Sequence, residues 1–302
     1  MPNPKLITIK FESPFKIGRG ENYIDAFTLY RAVIKALSML GEDFSYIAEG
    51  NVKFSSAFPV INGKPFLKMP PKKVNVKDRV LEKKLKKVEY ISLDLLKRIK
   101  EKKNDFSKVE IKVDEKVEDE FIKIEIDGIH ALAYKNAIVE KEEEIDIEGD
   151  YVAEYKNRIS RVSQMSDIFT VVGYLPHYTM GFIASDWNNR LEKALRLLER
   201  TGIGGERNIG FGKFKVVKEE DIGITIANEE KGTIKYSTGR VYTNGKFVAE
   251  RLEKISGYAG DTIVTVMPQL ILLPAGSLLE EYERKVIQIY QSNVAIIDPI
   301  LL

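Results

Sequence analysis

The chain places five glycines within eleven residues, between a helical pattern and a strand pattern, in the run Thr201-Gly202-Ile203-Gly204-Gly205-Glu206-Arg207-Asn208-Ile209-Gly210-Phe211-Gly212. Glycine adopts positive φ angles without steric cost, so this run can turn sharply and leave backbone N–H groups uncovered. A concave set of such groups binds anions, and Arg207 adds a charged fork that suits phosphate. Alternatively, the run is a tight helix-to-strand connection in which the glycines only permit close packing.

The spacing of the glycines argues against a nucleotide P-loop. Gly205 and Gly210 match the start of that motif, but Phe211-Gly212 stands where the motif requires Lys-Ser or Lys-Thr. The run also follows a helix and precedes a strand, which is the reverse of the order in P-loops and dinucleotide-binding folds. Binding of ATP or NAD is therefore disfavoured, and a nucleotide-dependent enzyme is the least favoured function for this chain.

The charge and composition of the chain narrow the kinds of site it can hold. With 47 Lys and Arg against 45 Asp and Glu, the net charge is +2, so nucleic-acid contact needs a local basic face. The chain has no Cys and two His, which excludes disulfides and thiolate metal sites and argues against a His-rich metal centre. No cofactor or metal is predicted. Residues 1–11 lack the apolar block of a signal peptide, and we expect a cytoplasmic protein without membrane contact.

Hydrophobic periodicity predicts an α+β fold. Apolar residues alternate in Lys5–Phe11, as in a half-buried strand, and Asp25 is placed to cap a helix that runs to about Leu40. A second strand is predicted at Val52–Ile61 and ends in an Asn-Gly turn at 62–63. Two apolar strands follow at Ile168–Gly173 and Thr179–Ala184. Ser185 is then placed to cap a helix that ends at Gly202, and the last strand is Ile209–Val217. The order strand, helix, strand, strand, helix, strand predicts a ferredoxin-like (RRM-like) domain.

This domain, residues 1–220, carries a long charged insertion at about 64–157. Residues 68–103 hold fourteen basic and five acidic side chains, a balance of +9, whereas residues 104–154 hold six basic and seventeen acidic ones, a balance of −11. The insertion is either a solvated, partly flexible segment whose halves attract each other, or a basic arm for a polyanion joined to an acidic surface for a protein. Residues 221–302 form a smaller β-rich domain, either simple or a degenerate ferredoxin-like copy.

The glycine run resembles the signature of the repeat-associated mysterious protein (RAMP) superfamily of CRISPR systems, which is Gly–apolar–Gly, five residues including a basic one, then Gly–apolar–Gly. Gly202-Ile203-Gly204 and Gly210-Phe211-Gly212 flank 205–209, which contains Arg207. Residues 13–18 resemble the usual opening of that superfamily. Three further segments are most similar to the type III-A (Csm) effector subunits that cap the 5′ handle of the crRNA: 66–73, 155–161 and the C-terminal run 240–277.

The resemblance implies a non-catalytic RNA-binding subunit that holds the repeat-derived 5′ handle. The implied partners are the crRNA, the large polymerase-like subunit and a neighbouring backbone RAMP subunit. Single-stranded RNA needs cations for phosphates, backbone donors and planar groups for bases. The candidate RNA-binding residues are Lys16, Arg19, Lys72, Lys73, Arg158, Arg161, Gly202, Gly204, Gly205, Arg207, Asn208, Gly210, Phe211 and Gly212. For Phe211, packing in the core is the alternative to base stacking. For Lys16, Arg19, Lys72 and Lys73, an ordinary solvated side chain is the alternative to RNA contact.

A metal-independent endoribonuclease that processes pre-crRNA is the second function class. Related enzymes use a His as general base beside a Tyr or Lys, and His177 and Tyr178 are adjacent in this chain. His130 lies in the acidic part of the insertion, where a half-buried or solvated role is the simpler reading. No spacing of Ser, His and Asp indicates a nucleophile elbow or a protease-like triad. We therefore expect no catalytic residues.

Overall fold

The structure is a computed structural model that describes residues 4–18, 21–103, 105, 107–113, 121–159, 166–227, 233–259, 265–290 and 293–302. These residues form the helices α1 (Ala26–Met39), α2 (Ser45–Ala48), α3 (Arg79–Lys87), α4 (Leu93–Lys102) and α5 (Asn189–Thr201). A single 3-10 turn spans Arg207–Ile209. Within these ranges no helix is both long and apolar enough to cross a membrane.

The strands follow the chain as β1 (Lys5–Phe11), β2 (Phe58–Ile61), β3 (Lys64–Lys68), β4 (Lys72–Asn75), β5 (Tyr90–Ser92), β6 (Val109–Val113), β7 (Phe121–Ile126), β8 (Ile129–Tyr134), β9 (Ala137–Val139), β10 (Gly149–Ile159), β11 (Ser166–Pro176), β12 (Thr179–Ala184), β13 (Phe214–Asp221), β14 (Lys235–Tyr236), β15 (Phe247–Val248), β16 (Glu253–Ala259), β17 (Thr265–Leu272), β18 (Leu278–Leu279), β19 (Lys285–Tyr290) and β20 (Asn293–Ile297). Eleven of them form one sheet in the order β13-β1-β12-β2-β3-β5-β9-β8-β7-β6-β4. A mixed α+β fold around one large sheet is thereby confirmed.

The first four strands of that order are antiparallel and carry α1 and α5 on one face. Ile7, Ile9 and Phe11 of β1 point into the same core as the apolar faces of both helices. Asp25 caps α1 as predicted, because its carboxylate accepts a hydrogen bond from the Phe27 N–H at 3.3 Å. Gly202 ends α5 as predicted, with a φ of +78°.

The start of α5 differs from the sequence prediction. The helix begins after Asn188, whose side-chain oxygen accepts hydrogen bonds from the N–H groups of Arg190 and Leu191 at 3.1 and 3.2 Å. Ser185, the predicted cap, instead accepts from the Lys53 N–H at 2.7 Å. Because the Ser185 hydroxyl is engaged by the Lys53 N–H, it does not cap the helix, and Asn188 does so instead.

The charged insertion is folded and extends the large sheet. Its strands β3 to β9 continue from β2, and α3 and α4 bury Leu85, Leu95 and Ile99 against a second core. Ion pairs join the basic half to the acidic half: Arg98 with Glu140 at 2.8 Å and Lys103 with Asp127 at 3.3 Å. Lys64, which precedes the basic half, pairs with Glu143 of the acidic half at 2.8 Å. The two halves therefore attract each other, as the first reading of the sequence proposed, but within an ordered sheet.

The C-terminal region shares its core with the rest of the chain. Val294 and Ile296 of β20 pack in the core beneath α1, and Ile300 and Leu302 pack with the insertion. Only a small cluster, Val241, Leu273, Leu279 and Leu301, belongs mainly to this region. The described part of 221–302 contains no helix. Residue 220 lies inside β13, and the described part of the region after it packs mainly into cores that it shares with the rest of the chain.

Two buried charge clusters tie the C-terminal region to the N-terminal one. The Arg240 side chain, 9% exposed, contacts the carboxylates of Glu21, Asp25 and Glu253. Burial by itself lowers the pKa of Arg240, but these carboxylates, led by Asp25, outweigh it and raise that pKa. In the second cluster, burial raises the pKa of Asp298 although Lys53 and Arg284 lie beside it.

Candidate nucleic-acid interface

Three of the five glycines in the run after α5 are required by close backbone packing. A Cβ atom would lie 2.5 Å from the Phe211 carbonyl oxygen at Gly202, 2.6 Å from the Lys16 oxygen at Gly204 and 2.0 Å from the Ile203 oxygen at Gly212. All three have positive φ angles, between +75° and +98°. The close-packing reading of the glycine run therefore holds for these positions.

Main-chain hydrogen bonds attach the run to the segment that follows β1. The N–H of Gly205 donates to the Lys16 oxygen and that of Gly212 to the Pro14 oxygen, both at 2.8 Å. The Ile203 N–H donates to the Gly212 oxygen at 3.0 Å, which closes the run on itself. Several of the amides predicted to face an anion are thus already paired within the protein.

The outward part of the run is the turn Glu206–Ile209. Glu206 has a φ of +59° and starts the 3-10 turn, which exposes Asn208 and Ile209 and leaves Arg207 half-buried. Within the described part of the chain, the amides of Arg207 and Asn208 and the Arg207 guanidinium have no hydrogen-bond partner. Two backbone donors and one guanidinium are therefore available together to an anion.

Two lysines flank this turn and share its one carboxylate. The Glu206 side chain contacts the Lys156 ammonium on β10 and lies 3.7 Å from that of Lys16. The hydrogen bond from Lys156, followed by the charges of both lysines, lowers the pKa of Glu206. Lys16 is thus ion-paired, and with Arg207 the cluster carries two net positive charges. Lys156 is not among the residues predicted from the sequence, although it lies in the segment 155–161 together with the predicted Arg158 and Arg161.

Phe211 packs in the core and does not offer its ring to a base, which is the second of the two roles predicted for it. Its side chain is 2% exposed, and its ring packs so closely against β11 that a Cβ at Gly173 would lie 2.8 Å from it. The exposed aromatic faces lie instead on the β10–β11 hairpin, where Tyr151, Tyr155 and Phe169 are 59%, 80% and 44% exposed. These rings, rather than Phe211, are available for base stacking.

Lys72 lines a cavity of about 740 Å³ between the insertion and the C-terminal region. Burial there lowers the pKa of Lys72, whose ammonium donates to the Val88 carbonyl. The cavity contains cations, carboxylates and aromatic rings, among them Lys68, Lys72, Lys86, Lys87, Arg251, Glu21, Glu89, Glu250, Glu253, Tyr23 and Tyr151. Mixed charges beside tyrosines match the polar edges, phosphates and ring faces of a nucleotide.

The other predicted cations are dispersed. Lys73 is exposed on β4 and lines a separate depression with Lys102 and Lys108, because successive side chains of a strand point to opposite faces. Arg158 pairs with Asp167 in the β10–β11 register, and its side chain lies outside what the structure describes. Arg19 and Arg161 lie outside the described residues altogether.

The candidate catalytic pair His177 and Tyr178 is separated by burial. His177 is on the surface, with its Nε2 2.9 Å from Asp150 Oδ2. Tyr178 is 6% exposed, and burial raises its pKa far above that of a free phenol. Its hydroxyl lies 3.4 Å from that of Tyr174. The two side chains therefore do not share an accessible site. Among the described residues, no three His, Asp or Glu side chains are grouped so that they could hold a metal ion.

No family model matches the chain, and no curated protein matches its sequence. Solved structures do resemble it. A chain of the Csm3-Csm4 subcomplex in the type III-A CRISPR-Cas interference complex superposes with a TM-score of 0.59 at 13% identity, over 99% of this chain and 98% of that one. A chain of the Csm1-Csm4 cassette in complex with cA4 gives 0.51 at 14% identity, over 98% and 95%. The chain therefore has the fold of the RAMP subunits of type III CRISPR complexes.

Proposed function

We propose that the chain is a non-catalytic RNA-binding subunit of a cytoplasmic type III-A CRISPR effector complex, and that it holds the 5′ repeat-derived handle of the crRNA. The observation that carries the proposal is the Arg207–Asn208 turn, which presents two amides and a guanidinium without partners among the described residues. Such a turn suits a crowded phosphate. The likeness in fold to the Csm3-Csm4 structure supports the choice of complex.

We assign the unit that carries the turn to the ferredoxin-like class. Its four strands run in the order β13-β1-β12-β2, and α1 and α5 connect β1 to β2 and β12 to β13. This is the connectivity of the split βαβ motif, interrupted by the insertion. The glycine run connects α5 to β13, at one end of the sheet and beside the segment that follows β1.

Single-stranded RNA would contact several parts of this surface. Lys16, Lys156 and Arg207 supply charge for phosphates, and Phe169, the exposed cross-strand partner of Lys156, supplies a face for a base on the same side of the hairpin. Lys72 and its cavity lie near the start of β10, where Tyr151 lines the cavity from the face of the strand opposite Lys156. We infer a path for the strand from the glycine run, around the hairpin, to the cavity.

The proposed protein partners are the large polymerase-like subunit and a neighbouring backbone RAMP subunit. The structures with this fold are complexes with Csm1 or Csm3. In the extended segment before β10, Ile145 and Ile147 are buried while Glu144, Asp146 and Glu148 face solvent. We infer that this acidic stripe meets the large subunit, because charge complementarity of this kind sets association rate and specificity.

Mixing the full-length protein with a labelled crRNA handle in EDTA tests the proposal against its alternatives. We expect saturable binding and intact RNA after prolonged incubation, because Tyr178, the neighbour that His177 would need for catalysis, is buried. Metal-independent cleavage that His177→Ala abolishes would establish the endoribonuclease instead. Saturable ATP binding without RNA binding would favour the nucleotide-dependent enzyme. Phe247→Ala, a change at an exposed C-terminal residue, serves as the control for both readouts.

A further inference from the structure

Helix α3 presents a row of cations opposite its buried side. Leu85 is fully buried against the insertion core, and Arg79, Lys83 and Lys87 follow one another at four-residue intervals on the exposed side. Because the helix rises about 1.5 Å per residue, the row is about 12 Å long. Four-residue spacing places the three charges one above the other.

The cations of this row are not neutralised locally. The single acidic residue within α3, Glu82, pairs with Lys86 at 2.6 Å. Within the described part of the chain, Arg79, Lys83 and Lys87 have no carboxylate within ion-pair distance. In a chain with a net charge of only +2, such a row is a local basic face that attracts a polyanion.

The row begins at the rim of the cavity that contains Lys72. Lys86, Lys87 and Val88, at the end of α3, line that cavity together with Tyr151. Lys83 and Arg79 lead away from it along the helix. Lys86 and Lys87 at the rim therefore connect the cations inside the cavity, Lys68 and Lys72, to the row along α3.

The composition of the row favours a nucleic-acid backbone over an acidic protein. A stable protein interface has an apolar centre, whereas the exposed side of α3 offers only one large apolar residue, Val80. Phosphate contacts need cations and no apolar centre. We propose that α3 is a track for the phosphate backbone of single-stranded RNA, continuous with the cavity. This inference rests on the proposed function, since it extends the path of the same strand.

The test is the salt dependence of binding to a fluorescein-labelled 30-nucleotide crRNA that carries the 5′ handle. The variant is Arg79→Gln, Lys83→Gln and Lys87→Gln together. Each phosphate contact contributes about 0.7 to the slope of log K against log salt, so the slope should fall by about 2. That change corresponds to a loss of roughly 100-fold in affinity at 0.1 M salt.

The matched control removes three exposed cations from α5, by Arg190→Gln, Lys193→Gln and Arg196→Gln. These side chains are paired with Glu42, Glu192 and Glu199, so their replacement should leave the RNA affinity and the salt slope unchanged. Circular dichroism of both variants checks that they fold.

The outcomes separate the inference from the proposed function. If the wild-type protein shows no saturable RNA binding, the proposed function fails and the track with it. If the wild-type protein binds RNA and the α3 variant keeps its affinity and slope, the track alone is overturned. Equal losses in the α3 and α5 variants would also overturn it, because net charge would then explain the effect.

Discussion

Arg240→Met is expected to lower the free energy of unfolding by about 3–5 kcal/mol, the range for breaking a buried ion pair on one side. Asp25 is fully buried and lies 3.6 Å from the guanidinium Nη1 of Arg240, while the Arg240 Nε donates to Glu253 at 2.6 Å. Removing the guanidinium leaves these carboxylates and that of Glu21 without their cation. Urea denaturation of the wild-type and variant proteins, followed by far-ultraviolet circular dichroism, measures the change.

Arg251→Met is the matched control for this prediction. Arg251 pairs with the same carboxylate, Glu253, at 2.8 Å, but its side chain is 75% exposed. Exposed pairs contribute at most about 1 kcal/mol, so the control should stay close to wild-type stability. Equal effects of the two substitutions would show that burial of the cluster does not stabilise the junction between the N- and C-terminal regions.

Gly212→Ala is expected to destabilise the protein by about 2–5 kcal/mol, through backbone strain and overpacking together. The residue has a φ of +75°, and an added Cβ would lie 2.0 Å from the Ile203 carbonyl oxygen. That carbonyl belongs to the glycine run itself, so the turn that carries Arg207 would be displaced. The melting temperature and the binding of single-stranded RNA should fall together.

Gly205→Ala is the control within the same run. Its φ is not positive, and the nearest atom to an added Cβ is the Lys16 oxygen at 3.6 Å. A change of no more than about 0.5 kcal/mol is expected, as for ordinary surface substitutions. If Gly212→Ala proved as stable as Gly205→Ala, the close approach of Ile203 and Gly212 would be wrong.

Local chemistry made part of the fold predictable from the sequence. Asp25 caps α1, Gly202 ends α5 and Asn62-Gly63 turns between β2 and β3, each with the backbone geometry that its residue type favours. The start of α5 was not predictable in this way, because Ser185 is used by a hydrogen bond from Lys53, 132 residues away in sequence. The pairing of insertion strands with the first sheet is likewise a long-range choice.

The sequence was enough to identify the segment that forms the candidate site, but not the role of each side chain in it. The glycine run indicated a constrained turn, and Arg207 lies half-buried in that turn, without a hydrogen-bond partner among the described residues. The burial of Phe211 depends on its packing against Gly173, and the pairing of Lys16 depends on Glu206, which Lys156 also contacts. These contacts join three distant segments, so no local pattern separates the free cations from the paired ones.

The most direct measurement of the central claim is the affinity of the wild-type and Arg207→Ala proteins for a single-stranded crRNA handle, from 0.05 to 0.5 M salt. The slope of log K against log salt should fall by about 0.7, with roughly 5-fold weaker binding at 0.1 M, because one phosphate contact is lost. Arg196→Ala, on α5 beside Glu192 and Glu199, should leave both values unchanged. Identical slopes and affinities for wild-type and Arg207→Ala proteins would contradict the claim that this turn binds RNA.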